Sequence, residues 1–193
     1  MLRKLYDRVL ELSAHRHATW ALALVAFVES SVFPIPPDVM LVPMTLAERR
    51  RAWRIAAIAT IASVAGGALG YAIGFGLFES LGRPILSLYG YGDQFSRFAQ
   101  NYNDYGAWIV LFAGLTPFPY KVITIASGVT GLNFWVFMAA SLLARALRFY
   151  IVCGLLYWLG PPIRAFIEKR LGLVVTVFFI ALVGGFAMIR YIL

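Results

Sequence analysis

The chain has 193 residues, of which 61% are apolar and 13% are charged, and its net charge is +8. A soluble globular domain has about 45–50% apolar and about 25% charged residues. A small domain buries only part of its surface, so this composition excludes an ordinary soluble domain and predicts a single membrane domain over residues 1–193. The basic charge could indicate nucleic-acid binding, but the arginines lie between hydrophobic runs, where membrane orientation explains them better.

Residues 1–17 place apolar side chains at helical spacing, with charged side chains between them. This pattern predicts a short amphipathic helix on the membrane surface. The segment contains Asp7 and Glu11, and no small-residue cleavage site follows it cleanly. We therefore expect it to be retained rather than removed as a signal peptide.

Residues 18–47 form an apolar run that Pro34, Pro36 and Pro37 interrupt in the middle. Proline removes a backbone donor and disfavours helix in the residue before it. Each arm is shorter than the roughly 20 residues that a crossing needs. We predict a re-entrant hairpin that enters and leaves the membrane on the same side, with the prolines at its tip.

A full transmembrane span is predicted over residues 55–78. The glycine pattern Gly66-x-x-x-Gly70-x-x-x-Gly74 in this span predicts close packing against another helix. Four arginines precede the span and are a strong cytoplasmic signal. They are Arg49, Arg50, Arg51 and Arg54.

The remaining elements follow the same order. Residues 79–104 are the most polar stretch and predict an external loop with a short surface helix near residues 93–103. Residues 105–131 form a second hydrophobic run, broken by Pro117 and Pro119, which predicts a second re-entrant hairpin.

Two further spans are predicted over residues 133–159 and 171–190. Pro161 and Pro162, followed by basic residues, predict a turn between them.

The two broken runs share the frame Pro-x-Pro-x-charge-Val, at Pro34–Val39 and again at Pro117–Val122. Interrupted segments at corresponding positions of two halves indicate a binding site near the midplane between inverted repeats. The sequence thus predicts an all-α integral membrane protein of two inverted repeats, each a proline-broken re-entrant hairpin followed by a transmembrane helix. With the N-terminus cytoplasmic, eleven basic residues face the cytoplasm and three face the outside, which satisfies the positive-inside rule.

Five ionisable residues fall inside the hydrophobic segments: Glu29, Asp38, Lys121, Arg145 and Arg148. A charge at the bilayer centre costs about 2.5–3.5 kcal/mol on insertion scales, so the five need partners or a wet cavity. Three positive charges against two negative charges leave one positive charge over, which would hold a small anion. Alternatively, the five charges neutralise one another and lock the fold.

Arg145 and Arg148 are three residues apart and share a helix face. Arginine forks bind phosphate oxygens bidentately, whereas lysine acts as a point charge. Asp38 and Lys121 each follow a proline break, where a new helix would offer free N–H groups and a positive dipole end. Asp38 could also be a simple helix cap.

These motifs resemble the DedA family, the bacterial members of the VTT (SNARE-associated) membrane proteins, and within it the YqaA-like branch. The resemblance covers roughly residues 18–160. The residues that carry it are Glu29, Pro34 and Pro36, the glycines of residues 66–76, and Pro117–Val122 leading to Ser127 and Gly128.

The resemblance implies two opposed re-entrant hairpins and a role in moving lipids across the bilayer. Family members recycle undecaprenyl phosphate and need acidic and arginine residues in the membrane, and Glu29 and Asp38 match the acidic positions. The family often has two arginines around the proline of the second hairpin. Here Gly114 stands near the first and Tyr120 or Lys121 near the second.

The expected function is that of a multi-pass flippase of the bacterial inner membrane, with a cytoplasmic N-terminus. Lys121, Arg145 and Arg148 would bind a lipid phosphate, such as undecaprenyl phosphate, while Glu29 and Asp38 gate it, coupled to protons. Alternatives are a proton- or ion-coupled transporter of a small solute and a non-transporting scaffold. No nucleophile elbow, P-loop or metal pattern occurs in the sequence, so we expect no enzyme activity, no cofactor and no metal.

Overall fold

The computed structural model describes residues 17–32, 36–90, 92–116 and 118–169, and all regular structure in these ranges is helical. This confirms the predicted all-α class. The predicted amphipathic helix of residues 1–17, apart from its last residue, and the predicted span of residues 171–190 lie outside the described residues. The α-helices of the described part are α1 (Ala18–Ser31), α2 (Asp38–Ala47), α3 (Ala52–Leu77), α4 (Arg83–Tyr89), α5 (Gly92–Asp104), α6 (Gly106–Leu115), α7 (Tyr120–Val129) and α8 (Phe134–Lys169).

Each proline-broken run folds as two short helices. The first run gives α1 and α2, of 14 and 10 residues, and the second gives α6 and α7, of 10 residues each. Pro37 and Pro119 stand immediately before α2 and α7, where the fixed φ of proline suits a helix start. Pro34 and Pro117 lie outside the described residues. At about 1.5 Å per residue, none of these helices alone spans the ~30 Å hydrocarbon core.

Within the described residues, two long helices are apolar enough, by length and composition, to cross a membrane. The first runs from Arg49 to Leu88 and includes α3, and the second is Phe134–Gly160 within α8. A 3₁₀ turn at Arg49–Arg51 precedes α3, and a π-helical turn at Phe78–Gly82 joins α3 to α4. These helices contain the span predicted over residues 55–78 and all but the first residue of the span predicted over residues 133–159.

Two sequence predictions need correction. The sequence predicted a loop over residues 79–104 with one helix near residues 93–103, whereas the structure has a π-helical turn and two helices, α4 and α5, in this stretch. Pro84 occupies the first turn of α4, where its missing N–H costs nothing, so it does not end the helix. The turn predicted at Pro161 and Pro162 is also wrong, because α8 continues to Lys169. Proline fixes φ near the helical value but lacks an N–H, so a helix can continue through it with a lost hydrogen bond and a kink.

The long helices form the centre, and the short helices pack on them in a crossed pattern. Helix α1 packs along α3, and α6 packs along α8. The second helix of each broken run packs on the long helix of the opposite half. Helix α2 packs on α8, and α7 packs on α3. Each half of the chain therefore completes the packing of the other.

Two apolar clusters lie at opposite ends of the long-helix pair. One contains Ala52 and Ala59 of α3 with Phe149 and Cys153 of α8. The other contains Phe137 of α8, with part of α3 packed beside it. The two helices thus run antiparallel, and buried polar residues of both lie between the clusters. These include Ser63 of α3 and Ser141 and Arg145 of α8.

The predicted close-packing face of α3 is confirmed by the structure. A Cβ at Gly66 would meet the backbone of Phe27 in α1, and a Cβ at Gly74 would meet the backbone of Ile125 in α7. A Cβ at Gly70 would meet the side chain of Thr124. The glycines therefore let two short helices approach α3 backbone to backbone, as small residues do in membrane helix pairs.

Gly66→Ala should destabilise the protein by about 1–3 kcal/mol, because the new methyl group forces α1 away from α3. Gly76→Ala is the matched control on the same helix, since a Cβ there meets nothing, and it should be neutral or stabilising by about 0.5–1 kcal/mol. Thermal unfolding in detergent measures both. Equal midpoints for the two variants would contradict the close approach of α1.

Candidate functional site

The five ionisable residues singled out from the sequence occupy four helices that meet between the two apolar clusters. Glu29 is near the end of α1, Asp38 begins α2, Lys121 is in the first turn of α7, and Arg145 and Arg148 lie in α8. The structure joins four of them in two ion pairs across the fold. Arg145 Nη2 lies 2.9 Å from Glu29 Oε2, and Arg148 Nη2 lies 2.7 Å from Asp38 Oδ2.

Arg145 is the most enclosed member of this charge cluster, with only 2% of its side chain exposed. Its guanidinium carbon lies 4.7 Å from the ring centroids of both Tyr120 and Phe149, which places it within cation–π range of two aromatic rings. Its Nε donates a hydrogen bond of 2.6 Å to Ser63 Oγ. The guanidinium is therefore held by charge, hydrogen bonds and aromatic rings at once.

A closed ring of hydrogen bonds fixes the Arg145–Glu29 pair. Ser30 Oγ donates to Glu29 Oε2 at 3.1 Å and lies 2.7 Å from Ser63 Oγ. Ser63 in turn accepts the Arg145 Nε bond. The Ser30 hydroxyl has one proton, and it has a second acceptor in the carbonyl oxygen of Ala26 at 3.0 Å. With Ser63 donating to Ser30, both serine hydroxyls have partners, as buried polar groups require. The ring links α1, α3 and α8.

Tyr120 belongs to the same polar layer. It is fully buried, and its hydroxyl donates a 2.5 Å hydrogen bond to Ser141 Oγ in α8. Because one face of its ring also covers Arg145, Tyr120 ties the start of α7 to α8.

The Arg148–Asp38 pair is more open. The two side chains are 19% and 18% exposed. Arg148 Nη1 also donates a 2.5 Å hydrogen bond to the carbonyl oxygen of Thr116, at the C-terminal end of α6. A cation is favoured there because the dipole of a helix is negative at its C-terminus.

Lys121 has no carboxylate within ion-pair distance among the residues that the structure describes. Its Nζ donates only to the carbonyl oxygen of Val32, at 3.4 Å, just past the end of α1. The first turn of α7 contains no acidic residue, unlike that of α2, which holds Asp38. With two neutral pairs and one unmatched ammonium group, the cluster carries one net positive charge.

The contact between Lys121 and Val32 also brings the end of α1 beside the start of α7. Thr124 Oγ1 adds a 3.0 Å hydrogen bond to the carbonyl oxygen of Ser30. The end of α1 and the start of α7 are therefore neighbours. The sequence analysis did not single out Ser30, Ser63 or Phe149 as parts of the site. The only signal for the two serines was a polar residue inside a strongly apolar helix.

In the described ranges, no three His, Cys, Asp or Glu side chains lie close enough together to hold a metal ion. The expected absence of a metal and a cofactor stays a prediction, as do the roles assigned to the five charged residues.

Comparisons with known proteins show which family the chain is similar to. The family model described as the VTT domain matches residues 35–158. An uncharacterized protein from Haemophilus influenzae is 36% identical over 170 residues, which cover 88% of each chain. A further uncharacterized protein, from Histophilus somni, is 35% identical over 167 residues, covering 86% of this chain and 87% of that one. No solved structure matches significantly.

Removing one partner of the buried pair should leave the other charge uncompensated. Glu29→Gln and Arg145→Gln should each cost about 3–5 kcal/mol of stability, and the double variant should regain most of that loss. Arg83→Gln, which breaks an exposed pair with Glu79, is the control and should cost less than about 1 kcal/mol. Thermal midpoints in detergent test this double-mutant cycle. Additive losses in the double variant would show that the pair does not couple α1 to α8.

Proposed function

Because this chain belongs to the VTT domain family, the DedA family, and is a membrane protein of that family, we propose that it is a flippase. Its substrate is a lipid phosphate such as undecaprenyl phosphate, and its location is the bacterial inner membrane. The phosphate binds at the charge cluster, and the hydrocarbon tail stays in the surrounding lipid.

The observation that carries this proposal is the unmatched positive charge of Lys121 beside two paired arginines. Its only described partner is a carbonyl oxygen at 3.4 Å, a weak contact that an anionic oxygen can replace with a shorter, charge-assisted bond. The N-terminus of α7 also supports this proposal, because the backbone N–H groups at a helix N-terminus favour an anion. One net positive charge matches one singly charged phosphate ester.

The two arginines contribute unequally to this site. Arg148 is partly exposed and presents the planar fork that matches phosphate oxygens, so it binds the phosphate directly with Lys121. Arg145 lies deeper and adds its charge from within the ring formed with Glu29, Ser30 and Ser63. Substrate binding at Arg148 weakens its bond to Asp38.

Glu29 and Asp38 are the proposed gates. Each carboxylate holds one arginine of α8, so a proton taken up by a carboxylate would release that arginine. Release at Asp38 frees α2 from α8, and release at Glu29 frees α1. Proton uptake can therefore be coupled to movement of the first broken segment against the second long helix.

The proposed architecture is a pair of inverted repeats with opposed re-entrant hairpins. Three features support it: the four short apolar helices, the antiparallel long helices and the crossed packing of α2 and α7 on them. In alternating access, one repeat rocks against the other around a site near the midplane. The polar layer between the two apolar clusters is the proposed position of that site.

Lys121→Ala and Arg148→Ala should each reduce flux of a fluorescent polyprenyl phosphate in liposomes by roughly ten- to hundredfold, the value of one or two charge-assisted hydrogen bonds. Arg148→Lys should stay poor, because a point charge loses the bidentate geometry. Arg83→Ala, in an exposed pair, is the control. All variants should elute as folded protein.

Normal flux in a folded Lys121→Ala/Arg148→Ala protein would overturn the phosphate site. Flux of inorganic phosphate without flux of the lipid would instead support a small-solute transporter.

A topology test examines the re-entrant hairpin. In a Cys153→Ala background, single cysteines at Ala14 and Ala47 should react with an impermeant thiol reagent from the same side. A cysteine at Ser87, an exposed position beyond α3, should react from the other side, because one long helix separates it from Ala47. Opposite accessibility of positions 14 and 47 would rule out re-entry.

A further inference from the structure

A second lipid-facing feature lies on α8, away from the charge cluster. It is a groove of about 420 Å³ lined by Trp53 of α3 and, from α8, by Leu143, Ala146, Leu147, Tyr150, Ile151, Gly154, Leu155 and Trp158. Its described lining is apolar or aromatic. We call it the Trp53 groove. The residues from 143 to 158 extend over about 22 Å of helix, more than the ~15 Å depth of one leaflet of the hydrocarbon core.

Aromatic residues and one glycine give the groove its shape. The Trp53 ring lies 6.0 Å from that of Tyr150 and 6.4 Å from that of Trp158, centroid to centroid. The Trp53 side chain lies over Gly154, and a Cβ there would touch the indole at 3.4 Å. The absence of a side chain at Gly154 therefore keeps the groove open. Tryptophan and tyrosine are enriched at the membrane interface, which suits this end of α3 and α8.

A guanidinium lies at that same end. Arg49 precedes Trp53 by one helical turn, and its Nε, Cζ and Nη2 atoms lie against Gly160, two residues beyond Trp158. Arg49 is partly buried and has no carboxylate partner among the residues that the structure describes. Arg50 and Arg54 are exposed nearby in sequence, and the neighbouring Glu48 pairs with Arg51.

We propose that the Trp53 groove binds one acyl chain of an anionic phospholipid, with the lipid phosphate on Arg49. An apolar groove with a cation near one end favours a lipid with an apolar chain and a net negative headgroup over a zwitterionic one, in which a second positive charge offsets the phosphate. This site is separate from the proposed transport site: it faces the bilayer on α8, while Lys121 lies at the junction of α1 and α7.

Tryptophan quenching tests the proposal directly. A Trp20→Phe/Trp108→Phe/Trp135→Phe variant keeps only Trp53 and Trp158 as fluorophores. It is reconstituted in phosphatidylcholine vesicles that contain either brominated phosphatidylglycerol or brominated phosphatidylcholine at equal mole fraction. Bromine quenches indole at contact, so the anionic lipid should quench more strongly at low salt. The preference should be about fivefold for one basic contact and should fall as salt is raised.

Variants locate the site. Arg49→Gln should remove the preference for the anionic lipid, and Arg49→Lys should keep part of it. Arg83→Gln, at the other end of the long helix and in a pair with Glu79, is the control and should not change it. Gly154→Leu should fill the groove and reduce quenching by both lipids.

Two results would overturn the proposal. Equal quenching by the two lipids, at low salt and in the variant with only Trp53 and Trp158, would show that Arg49 selects no headgroup. Absence of quenching by either lipid would show that protein, such as residues 171–190, covers the groove. The salt series uses no Arg49 variant, so it decides the question even where Arg49→Gln fails to fold. The readout is binding without transport, so it is independent of the flippase proposal.

Discussion

The fold depends on neutralising the Arg145 guanidinium at the centre of the helix bundle. A charge at this depth is expensive, and a buried ion pair repays the cost of desolvation only with good geometry and further hydrogen bonds. Glu29 supplies the opposite charge, Ser63 accepts a hydrogen bond, and the rings of Tyr120 and Phe149 lie within cation–π distance of the guanidinium. These partners come from α1, α3, α7 and α8. One side chain therefore requires most of the elements to be in place together.

The second pair has a different character, and that difference gives the site its proposed chemistry. Arg148 and Asp38 share a 2.7 Å ion pair but remain partly exposed, while Arg145 is almost completely enclosed. A substrate can reach Arg148 without dismantling the ring around Arg145. Lys121 adds the charge that neither carboxylate matches. The cluster thus combines a deeply buried pair with a more exposed pair and an ammonium group that has no carboxylate partner among the described residues.

Much of the fold followed from local sequence patterns, whereas the pairing of charges did not. Pro37 and Pro119 predicted the breaks before α2 and α7, and the Gly66–Gly74 pattern predicted the close helix contact, because both effects act within a few residues. The helical state of residues 79–89 was missed because Pro84 fits the first turn of a helix as readily as a turn. That Arg145 would select Glu29 depends on the antiparallel packing of α3 and α8, which brings together residues 116 positions apart.

Direct binding of a short-chain polyprenyl phosphate to the purified protein, compared with the corresponding neutral polyprenol, tests the central claim most directly. The account predicts one phosphate ligand per chain, little competition from the alcohol, and loss of the phosphate preference in Lys121→Gln. Equal affinity for the phosphate and the alcohol in the unaltered protein would contradict it, because the net positive charge of the cluster would then have no ligand to hold.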